Sequence, residues 1–384
     1  MADLLVVAGE ALWPLHHGGR IRTARLAEAL SSRFDVWVAA PAEAPPPPEV
    51  GFVELPEDDP VGRVRSAAST RPRLGQAMLG PRRRAALADS ASRLRPAAVL
   101  FSHSYLAAVA PDLAVAFAVD FADVEVRRLS SLTGRGSPRN RAATAVEWAK
   151  ARSWEPPVAR RARLALAVTA SDAELLSSWG GSVVLVPHGS GPHPYRPSPT
   201  DGPVTFVASL DYLPNRDAAR FVLDRVWPRV RAEEPAVGLR IVGRAAGEVV
   251  GWTGRRDGVE VVSDPDTVER YYREASLLLA PVRTGGGAQV KVAEALARCR
   301  AMVATSFSAR SAPLAAREAV VNADDATTFS AEIVRLWRDV ERRRATEATL
   351  AARRPVPGWE DVCRPLADAL EGIVGRECGR RTST

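Results

Sequence analysis

The feature that most constrains the fold of this chain is an alternation of short apolar stretches with amphipathic ones. The run "DLLVVAG" is followed by a glycine-bearing loop and then by "IRTARLAEALSSR", where apolar residues recur at every third position from Ile21 to Leu30. That spacing is typical of one helix face. The next stretch, "DVWVAAP", has the pattern of a second buried strand. A strand, a loop, a helix and a strand in this order open a parallel α/β unit.

A proline-rich segment interrupts this alternation in the middle of the chain. Residues 190–203 contain five prolines, and the alternation restarts after them from "VTFVAS" and continues to the strand "AMVAT". The sequence therefore predicts two Rossmann-like, doubly wound parallel-sheet domains that face a cleft, with a C-terminal helix that crosses back. The predicted bounds are 1–195 for the first domain, 203–355 for the second, and 356–384 for the C-terminal helix and tail.

The composition is that of a globular protein large enough for two domains. The 384 residues are 46% hydrophobic and 25% charged, and no stretch approaches the ~20 apolar residues of a membrane span. The start "MADLLVVAGEALW" lacks the features of a signal peptide, so the expected location is the cytoplasm. Cys299, Cys363 and Cys378 are odd in number and far apart, which argues against a disulfide framework and a structural zinc site.

The formal net charge of +7 raises the question of a nucleic-acid partner. Of the 52 basic residues only Lys150 and Lys291 are lysines, and the arginines mostly alternate with acids, as on a solvated surface. This pattern argues against nucleic-acid binding. A denser group from Arg71 to Arg84 and the loop "GRGSPRNR" instead indicate possible contact of the first domain with an anionic acceptor or a membrane surface.

The stretch "VRTGGGAQVKVAEALA", residues 282–297, predicts an anion-binding turn. With "LLLAPV" as a strand and a helix beginning near Ala288, the glycines at 285–287 lie at a helix N-terminus, where free amides and the helix dipole favour an anion. Lys291 and Glu294 then share one helix face. The alternative is a flexible turn followed by a surface ion pair. The position at the carboxyl end of a strand favours the ligand site.

These residues resemble a known family. The stretch "DTVERYYREASLLLAPVRTGGGAQVKVAEALA" followed by "RAMVAT" is similar to the donor-binding segment of family-four glycosyltransferases, in the subgroup with a GGG-x-x-x-K-x-x-E-A signature. Upstream, "FVASLDYLPN" and "IVGR" resemble the opening of the second domain in that subgroup, and "GGRIRTARLAEAL" resembles the first glycine loop and helix. The likeness covers most of the chain and is strongest from residue 203 to 306.

The resemblance implies a GT-B fold and a retaining glycosyltransferase that needs no metal. Such an enzyme moves a sugar from a nucleoside-diphosphate sugar, bound mainly by the second domain, to a hydroxyl acceptor bound mainly by the first. The acceptor is a polysaccharide, a lipid-linked sugar or a natural product. The donor is a substrate, so no cofactor is expected.

The resemblance also assigns donor-binding residues. Glu294 matches the glutamate that binds the donor ribose, and Gly18 and Gly19 match the loop whose amides face the diphosphate. Gly243 and Arg244 stand at the strand end that reaches the donor.

The chain departs from the wider family on the donor side. A second glutamate seven residues before Glu294 is replaced by Gly286, so the amides of Gly285, Gly286 and Gly287 would take over its contacts. An arginine and lysine pair is replaced by Ser209, Asn215 and Arg216. This loss makes Lys291, Arg244 and Arg283 the expected diphosphate cations, with Lys291 in the catalytic role.

The acceptor side is less clear from the sequence. The histidine common in the family is not evident, and its region "VDFADVE" offers Asp120, a weak catalytic candidate that also fits a helix or turn cap. His16 and His17 precede the glycine loop, and His103 follows a strand, so these three are candidates for acceptor contacts. In a retaining front-face reaction the leaving phosphate oxygen accepts the acceptor's proton, so a strong protein base is not required.

Two aspartates offer a metal-binding alternative. Asp264 and Asp266 form the D-x-D pattern of metal-dependent glycosyltransferases, but Asp266 with Glu269 three residues later also has the pattern of a helix capping box. His188 and His193 have no zinc-site spacing. The sequence therefore predicts no metal site.

Two other functions remain as alternatives. A nucleotide-sugar epimerase or hydrolase of the same fold would need acid and base groups at the anomeric carbon, which the sequence does not offer. A non-catalytic partner protein of this fold would explain the missing glutamate and histidine. The retained glycines and Glu294 argue against it.

Overall fold

The computed structural model describes residues 3–15, 18–58, 69–134, 137–191, 193–247, 256–286 and 288–382. The chain divides into two compact units. The first comprises Met1–His188, Gly286–Ala288 and Trp359–Thr384, and the second comprises Gly189–Gly285 and Gln289–Gly358.

The first unit is built on a sheet of seven parallel strands. They are β1 Leu4–Val7, β2 Val36–Ala40, β3 Gly51–Glu54, β4 Ala98–Phe101, β5 Ala116–Phe121, β6 Leu164–Ala167 and β7 Val183–Leu185. Their order in the sheet is β3-β2-β1-β4-β5-β6-β7. Leu4 and Val6 pack into one core while Leu5 and Val7 pack into another. Because successive side chains of a strand point to opposite faces, both faces of the sheet are covered.

Helices cover the two faces of the first sheet. They are Gly18–Leu30, Arg73–Met78, Pro81–Leu94, Ser104–Ala107, Glu125–Leu132, Pro138–Arg161, Ala170–Ser178 and Trp359–Thr382. The C-terminal helix packs Leu366 and Leu370 into the core that contains Leu4 and Val6. It therefore completes the first unit although it follows the second in the sequence.

The second unit repeats this architecture with six parallel strands. They are β8 Val204–Val207, β9 Leu239–Gly243, β10 Val259–Ser263, β11 Leu277–Ala280, β12 Met302–Ala304 and β13 Val320–Asn322, in the order β10-β9-β8-β11-β12-β13. Its helices are Leu213–Phe221, the π-helix Val222–Val226, Trp227–Glu233, Glu269–Glu274, Val290–Ala297, Ser306–Ala309, the 3-10 helix Leu314–Ala319, Ala326–Arg338 and Val340–Arg353.

The predicted fold class of two doubly wound parallel sheets is confirmed. Each sheet reverses its strand order once, between β1 and β4 in the first unit and between β8 and β11 in the second. In such sheets the loops at the carboxyl ends of these two strands diverge and leave room for a ligand. The two reversal points therefore mark the places where binding residues are expected.

The structure differs from the sequence-based prediction around β11. The strand ends at Ala280 rather than Val282, because Pro281 has no N–H to continue the ladder and the Val282 carbonyl accepts from the hydroxyls of Thr305 and Ser308. The following helix begins at Val290, two residues later than predicted. Gly285 and Gly286 therefore lie in a loop before the helix and not directly at its N-terminus.

The predicted capping box at Asp266 is wrong. The helix Glu269–Glu274 has Val268 at its N-cap, without a side-chain bond. The N–H of Glu269 donates instead to Oγ1 of Thr267 at 3.2 Å. The hydroxyl of Thr267, two residues before Glu269, thus accepts the backbone hydrogen bond that a capping box would have assigned to Asp266.

Candidate functional site

The second unit brings most of the predicted donor residues to its strand-reversal point. The segment after β8 contains Ser209, Asn215 and Arg216, and the segment after β11 contains Arg283 and Lys291. These two segments leave the sheet from neighbouring strands in opposite directions. Residues separated by about 70 positions in the sequence therefore meet at one edge of the sheet.

Lys291 lies in the first turn of the helix Val290–Ala297 and contacts the segment after β8. Its Nζ donates to Oδ1 of Asn215 at 2.8 Å and to Oε1 of Gln289 at 3.3 Å. Burial lowers the pKa of Lys291 from 10.5 to about 7, because the loss of hydration outweighs the attraction of Glu294. An anion placed at this amine would favour its charged form.

Asn215 connects Lys291 to the end of β8. Its side chain is 8% exposed, and Nδ2 donates to the carbonyl oxygen of Ser209 at 2.8 Å. Ser209 thus contributes its backbone to the cluster. Arg216 follows in the same helix, half-buried, and its N–H donates to the carbonyl of Tyr212 at 3.1 Å. The side-chain amide of Asn215 therefore holds Nζ of Lys291 in position relative to the end of β8.

Glu294 lies one turn after Lys291 on the same helix face. Its Oε2 accepts a hydrogen bond from the hydroxyl of Tyr272 at 2.8 Å. Burial raises the pKa of Glu294, while the nearby Arg298 opposes that shift. Tyr272 is 1% exposed, and Arg298 lies over its ring at 4.6 Å. The carboxylate is therefore held in place by a buried tyrosine.

Tyr272 is a site residue that the sequence pattern does not reveal. It lies within the stretch "DTVERYYREA", whose spacing predicts a helix, and helical periodicity does not show where a hydroxyl points. Two adjacent tyrosines in a chain with five tyrosines in total were the available signal.

The glycine turn has the backbone that its sequence requires at Gly285. This residue has φ of +134°, a region that side-chain-bearing residues rarely adopt. A Cβ added there would lie 3.5 Å from the hydroxyl of Tyr212, so conformation rather than space selects glycine. Gly287 lies outside the described residues. The N–H of Gln289, the residue before the helix, donates to Oγ of Ser311 at 2.8 Å, which anchors the end of the turn to the segment after the helix Ser306–Ala309.

Gly286 belongs to the first unit by its contacts. A Cβ on this glycine would lie 2.7 Å from Cβ of Arg128 and 2.8 Å from Oδ1 of Asp123. Both distances are shorter than side-chain contacts allow, so a glutamate here would require those neighbours to move. This explains in steric terms why the position carries no side chain.

Arg283 is held beside the helix that follows β8. Its Nη2 lies 2.8 Å from Oδ2 of Asp217, and its guanidinium lies over the ring of Phe221 at 4.5 Å. Its Nε is buried and has no hydrogen-bond partner among the described residues. The Arg283 guanidinium can therefore still donate a hydrogen bond from Nε, although its Nη2 is paired with Asp217.

Arg244 follows β9 directly and is paired in the same way. Its Nη2 lies 2.7 Å from Oδ2 of Asp211. Gly243 before it has φ of +143°, and an added Cβ would lie 2.1 Å from the carbonyl oxygen of Ala208. Glycine therefore allows the end of β9 to approach the end of β8 closely.

The first unit begins its long helix with the predicted glycine pair. Gly18 and Gly19 are the first residues of the helix Gly18–Leu30, so their amides have no partners within the helix. A helix start of this kind is suited to anions. His16 and His17 lie outside the described residues.

Asp120 is not an open carboxylate. It is 1% exposed, and its two oxygens accept from Nε and Nη2 of Arg22 at 2.7 and 2.9 Å. Arg22 also donates to the carbonyl of Pro187 at 3.3 Å. The pair thus joins the helix Gly18–Leu30 to the ends of β5 and β7, and both carboxylate oxygens are engaged.

Arg20, in the same helix Gly18–Leu30 as Arg22, forms a second ion pair that the sequence pattern does not reveal. Arg20 donates from Nη1 and Nη2 to the two oxygens of Glu43 at 2.6 and 2.8 Å, and lies 3.5 Å from Glu10. The bond to Glu43 raises the pKa of Arg20. This pair fixes the start of the helix against the segment after β2.

His103 follows β4 and is half-buried. Its Nδ1 lies 3.1 Å from Oγ of Ser102, and its ring stacks on Tyr105 at 4.8 Å. Burial lowers the pKa of His103, so the neutral ring is favoured near neutral pH. A neutral imidazole can bond a hydroxyl but adds no charge.

The aspartates of the D-x-D pattern do not form a metal-binding group. Asp264 has φ of +52° and accepts from the Ala245 N–H at 3.2 Å and from the hydroxyl of Ser263. These hydrogen bonds lower the pKa of Asp264. Within the described ranges no three His, Cys, Asp or Glu side chains are grouped so that they could hold a metal.

Two further findings concern the whole of the described chain. None of its helices combines the length and apolar character needed to cross a bilayer. Cys299 and Cys363 are buried free thiols, and burial raises the pKa of Cys363 to about 12.

One known protein family matches a part of this sequence. Residues 202–339 match the family described as "Glycosyl transferases group 1", which covers most of that unit. No curated protein matches the sequence.

Solved structures share the fold over nearly the whole length of this sequence at low sequence identity. Sucrose-phosphate synthase from Thermosynechococcus elongatus has a TM-score of 0.71 at 14% identity, covering 97% of this chain and 99% of its own. WaaG, a glycosyltransferase of lipopolysaccharide biosynthesis, has a TM-score of 0.69 at 13% identity, with 96% and 100% covered. HepE from Anabaena, in complex with UDP and glucose, has a TM-score of 0.67 at 11% identity, with 97% and 100% covered.

The structural likeness establishes the GT-B fold, and residues 202–339 match group 1 of the glycosyl transferases. Together these findings support an enzyme that transfers a sugar from a nucleotide sugar.

Proposed function

We propose that the chain is a retaining, metal-independent glycosyltransferase that acts in the cytoplasm. We also assign it, on its sequence pattern, to the GGG-x-x-x-K-x-x-E subgroup of the family-four glycosyltransferases. In this proposal the second unit binds a nucleoside-diphosphate sugar and the first unit binds the hydroxyl acceptor. The observation that carries the proposal is the cluster of Asn215, Lys291, Glu294 and Tyr272 at the strand-reversal point of the second sheet.

The diphosphate is assigned to Lys291 and its surroundings. Departure of the sugar leaves negative charge on the diphosphate, and preorganised donors aimed at that charge are usually the largest catalytic contribution. The Lys291 amine is held by Asn215, so it needs little reorganisation to meet a phosphate oxygen. In the second unit, the amide of Gly285 and the guanidinium groups of Arg244 and Arg283 are assigned to the same anion. The resemblance also assigns the amides of Gly286, Gly287, Gly18 and Gly19 to the donor.

The ribose is assigned to Glu294. A carboxylate can accept from two neighbouring hydroxyls, and Tyr272 holds this one in a fixed orientation. HepE is solved with UDP, so uracil is the first base to test for this chain.

The proton of the acceptor is assigned to the leaving phosphate. Asp120 is fully engaged by Arg22, so we assign it a positioning role for the helix Gly18–Leu30 and for the amides of Gly18 and Gly19. His103 remains a candidate for a neutral hydrogen bond to the acceptor hydroxyl. A retaining reaction in which the phosphate takes the proton is consistent with these roles.

The test of donor binding is calorimetry with UDP. Glu294→Gln should weaken UDP binding by about tenfold, because a charge-assisted bond to the ribose is worth roughly 1.5–3 kcal/mol. Glu341→Gln is the matched control, since Glu341 is an exposed glutamate of the helix Val340–Arg353. Equal UDP affinity for Glu294→Gln and the wild type would remove Glu294 from the site.

Two observations on turnover test the chemistry. The product of an α-linked donor should carry an α-glycosidic bond by NMR, and an inverted product would contradict the retaining assignment.

Activity should persist in EDTA. Loss of activity that manganese restores would contradict metal independence and return attention to Asp264 and Asp266.

The proposed contact with an anionic acceptor or membrane concerns the arginines between Arg71 and Arg84. Arg83 is used inside the first unit, where it donates to the carbonyls of Pro56, Gly9 and Met78. The contact would therefore involve exposed neighbours such as Arg71 and Arg82. Sedimentation with anionic vesicles, against neutral vesicles, tests it.

A further inference from the structure

The first unit contains a cavity of about 390 Å³ beside its strand-reversal point. Tyr105, which lines it, lies in the helix Ser104–Ala107 after β4, and the helix Glu125–Leu132, which contributes another wall, follows β5. The cavity therefore lies at the carboxyl edge of the sheet, where doubly wound sheets bind ligands. Its volume lies in the range of roughly 300–1,000 Å³ typical of small-molecule sites.

The lining is mainly apolar and partly aromatic. Six residues supply carbon surface, namely Pro72, Leu74, Ala77, Tyr105, Leu129 and Trp154. The two aromatic side chains offer flat surfaces on which a ring can pack. A ligand with a ring system would therefore bury apolar area against most of the wall.

Charged groups of the lining are largely paired within the protein. Arg128 donates from Nε and Nη2 to the two oxygens of Glu125 at 2.7 and 2.5 Å. Glu147 accepts from Nζ of Lys150 at 2.8 Å and from the backbone N–H of Arg73 at 3.1 Å. A charge placed at Glu125, Arg128 or Glu147 would have to displace these partners, whereas Arg73 is exposed to solvent, so the paired part of the lining favours a neutral group.

The walls of the cavity are fixed by close contacts. A Cβ on Gly75 would lie 2.3 Å from the carbonyl oxygen of Tyr105, so the helix Arg73–Met78 rests on the backbone at Tyr105. Glu155 connects the helix Ser104–Ala107 with the helix Glu125–Leu132. Its carboxyl group accepts hydrogen bonds from Oγ of Ser104 and from the N–H of Glu125, each at 2.8 Å. The cavity is therefore part of the packed structure of this unit.

We propose that this cavity binds the ring portion of the acceptor, a neutral, flat and mainly apolar molecule that carries a hydroxyl group. The inference rests on the proposed sugar transfer and names its acceptor class. It favours an aromatic or polycyclic natural product over a polysaccharide, whose many hydroxyls would find few partners here. It also disfavours a negative charge on the ring portion itself, because Arg128 is already paired with Glu125.

The test uses three probes without donor present. 2-Naphthol is a neutral bicyclic phenol, 6-hydroxy-2-naphthoic acid adds a carboxylate to the same rings, and maltose stands for a sugar acceptor. Binding is measured by calorimetry on the full chain. We expect 2-naphthol to bind, the acid to bind at least about fivefold more weakly because its charge would be desolvated, and maltose not to bind.

Substitutions at the cavity wall make the location testable. Ala77→Trp fills the cavity from an exposed position and should weaken 2-naphthol binding by about tenfold or more. Ala85→Trp is the matched control, since Ala85 is an exposed alanine of the helix Pro81–Leu94 outside the lining, and it should leave binding within about twofold. Leu74→Ala, also at an exposed wall position, is a second variant that removes ring contacts and should weaken binding by about threefold.

The outcomes separate the acceptor class from the enzyme activity. Absent 2-naphthol binding, equal binding by Ala77→Trp and Ala85→Trp, or a preference for maltose or the acid would overturn the inference. UDP binding should be equal in all variants. Failure of the wild type to bind UDP would instead contradict the proposed donor site, whatever the 2-naphthol result.

Discussion

At the scale of single residues, the choice of lysine at position 291 has a physical reason. The chain otherwise uses arginine almost throughout, with Lys150 as its second lysine. An arginine is charged at every accessible pH, whereas burial brings the pKa of Lys291 to about 7. A lysine here can therefore be neutral in the empty site and become charged when an anion binds.

This titration predicts proton uptake on donor binding. At pH 8 the free amine is mainly neutral, and a bound diphosphate should raise its pKa, so UDP binding should take up as much as about one proton. Below about pH 6 the amine is already charged and the uptake should vanish. Calorimetry in two buffers of different ionisation enthalpy measures the uptake at both pH values. Lys291→Arg should bind UDP without it, and buffer-independent enthalpies for the wild type at pH 8 would contradict the prediction.

Asp120 illustrates a residue whose role depends on its buried partner. Removing one member of a buried ion pair leaves the other charge without compensation, at a cost of about 3–5 kcal/mol. Asp120→Asn should therefore lower the free energy of unfolding by an amount of this order in urea titration. Asp361→Asn, in the exposed pair with Arg364, should change it by less than about 1 kcal/mol.

The readout on binding distinguishes the role of Asp120. UDP affinity should fall by no more than about threefold in Asp120→Asn if the pair only positions the helix start. A stable Asp120→Asn protein that has lost turnover by several orders of magnitude with unchanged UDP affinity would indicate that the carboxylate takes part in the reaction directly.

At the scale of elements, the donor site depends on how closely strand ends approach one another. β9 ends at Gly243, whose backbone lies against the carbonyl of Ala208 after β8. The turn after β11 depends in the same way on the positive φ of Gly285. Gly243 thus allows the loop that carries Arg244 to approach the end of β8, and Gly285 allows the turn that precedes Lys291.

Substitution of Gly243 tests this arrangement. Gly243→Ala combines a positive φ with a Cβ placed 2.1 Å from a carbonyl oxygen, so it should destabilise the protein by more than about 2 kcal/mol and weaken UDP binding. Gly191→Ala is the control, since a Cβ there meets nothing within 4 Å. Urea titration and UDP calorimetry on both variants give the result, and an unchanged midpoint for Gly243→Ala would contradict the close approach.

At the scale of the whole molecule, each unit has its own sheet and its own buried cores. Each ligand should therefore act mainly on the segments that bind it. In hydrogen exchange, UDP should protect the segments 209–216 and 283–297. 2-Naphthol should protect the helices Arg73–Met78 and Glu125–Leu132. Protection of all four segments by either ligand alone would contradict separate sites.

The fold and part of the site were predictable from the sequence. The alternation of apolar and amphipathic stretches is a local pattern, so it identified both sheets, and the spacing of Lys291 and Glu294 placed them on one helix face. Contacts between distant residues were not predictable in this way. The partner of Asp120 is 98 positions away, and nothing in the periodicity of either element selects Arg22.

The same limit applied to hydroxyl and backbone contacts. Tyr272 holds Glu294 through a single oxygen atom, and Ser209 takes part through its carbonyl. The end of β11 was displaced because side-chain hydroxyls bind a backbone carbonyl there. The cavity beside Tyr105 is assembled from four separate segments, so the pattern of no single segment revealed it.

The lowered pKa of Lys291 also has a consequence for chemical labelling. A neutral amine is a nucleophile, so an acylating reagent at pH 7.5 should modify Lys291 in preference to Lys150, which is ion-paired with Glu147. A bound diphosphate would cover and charge the amine and slow that reaction. With two lysines in the sequence, mass spectrometry of the acylated peptides could serve as a direct reporter of donor occupancy.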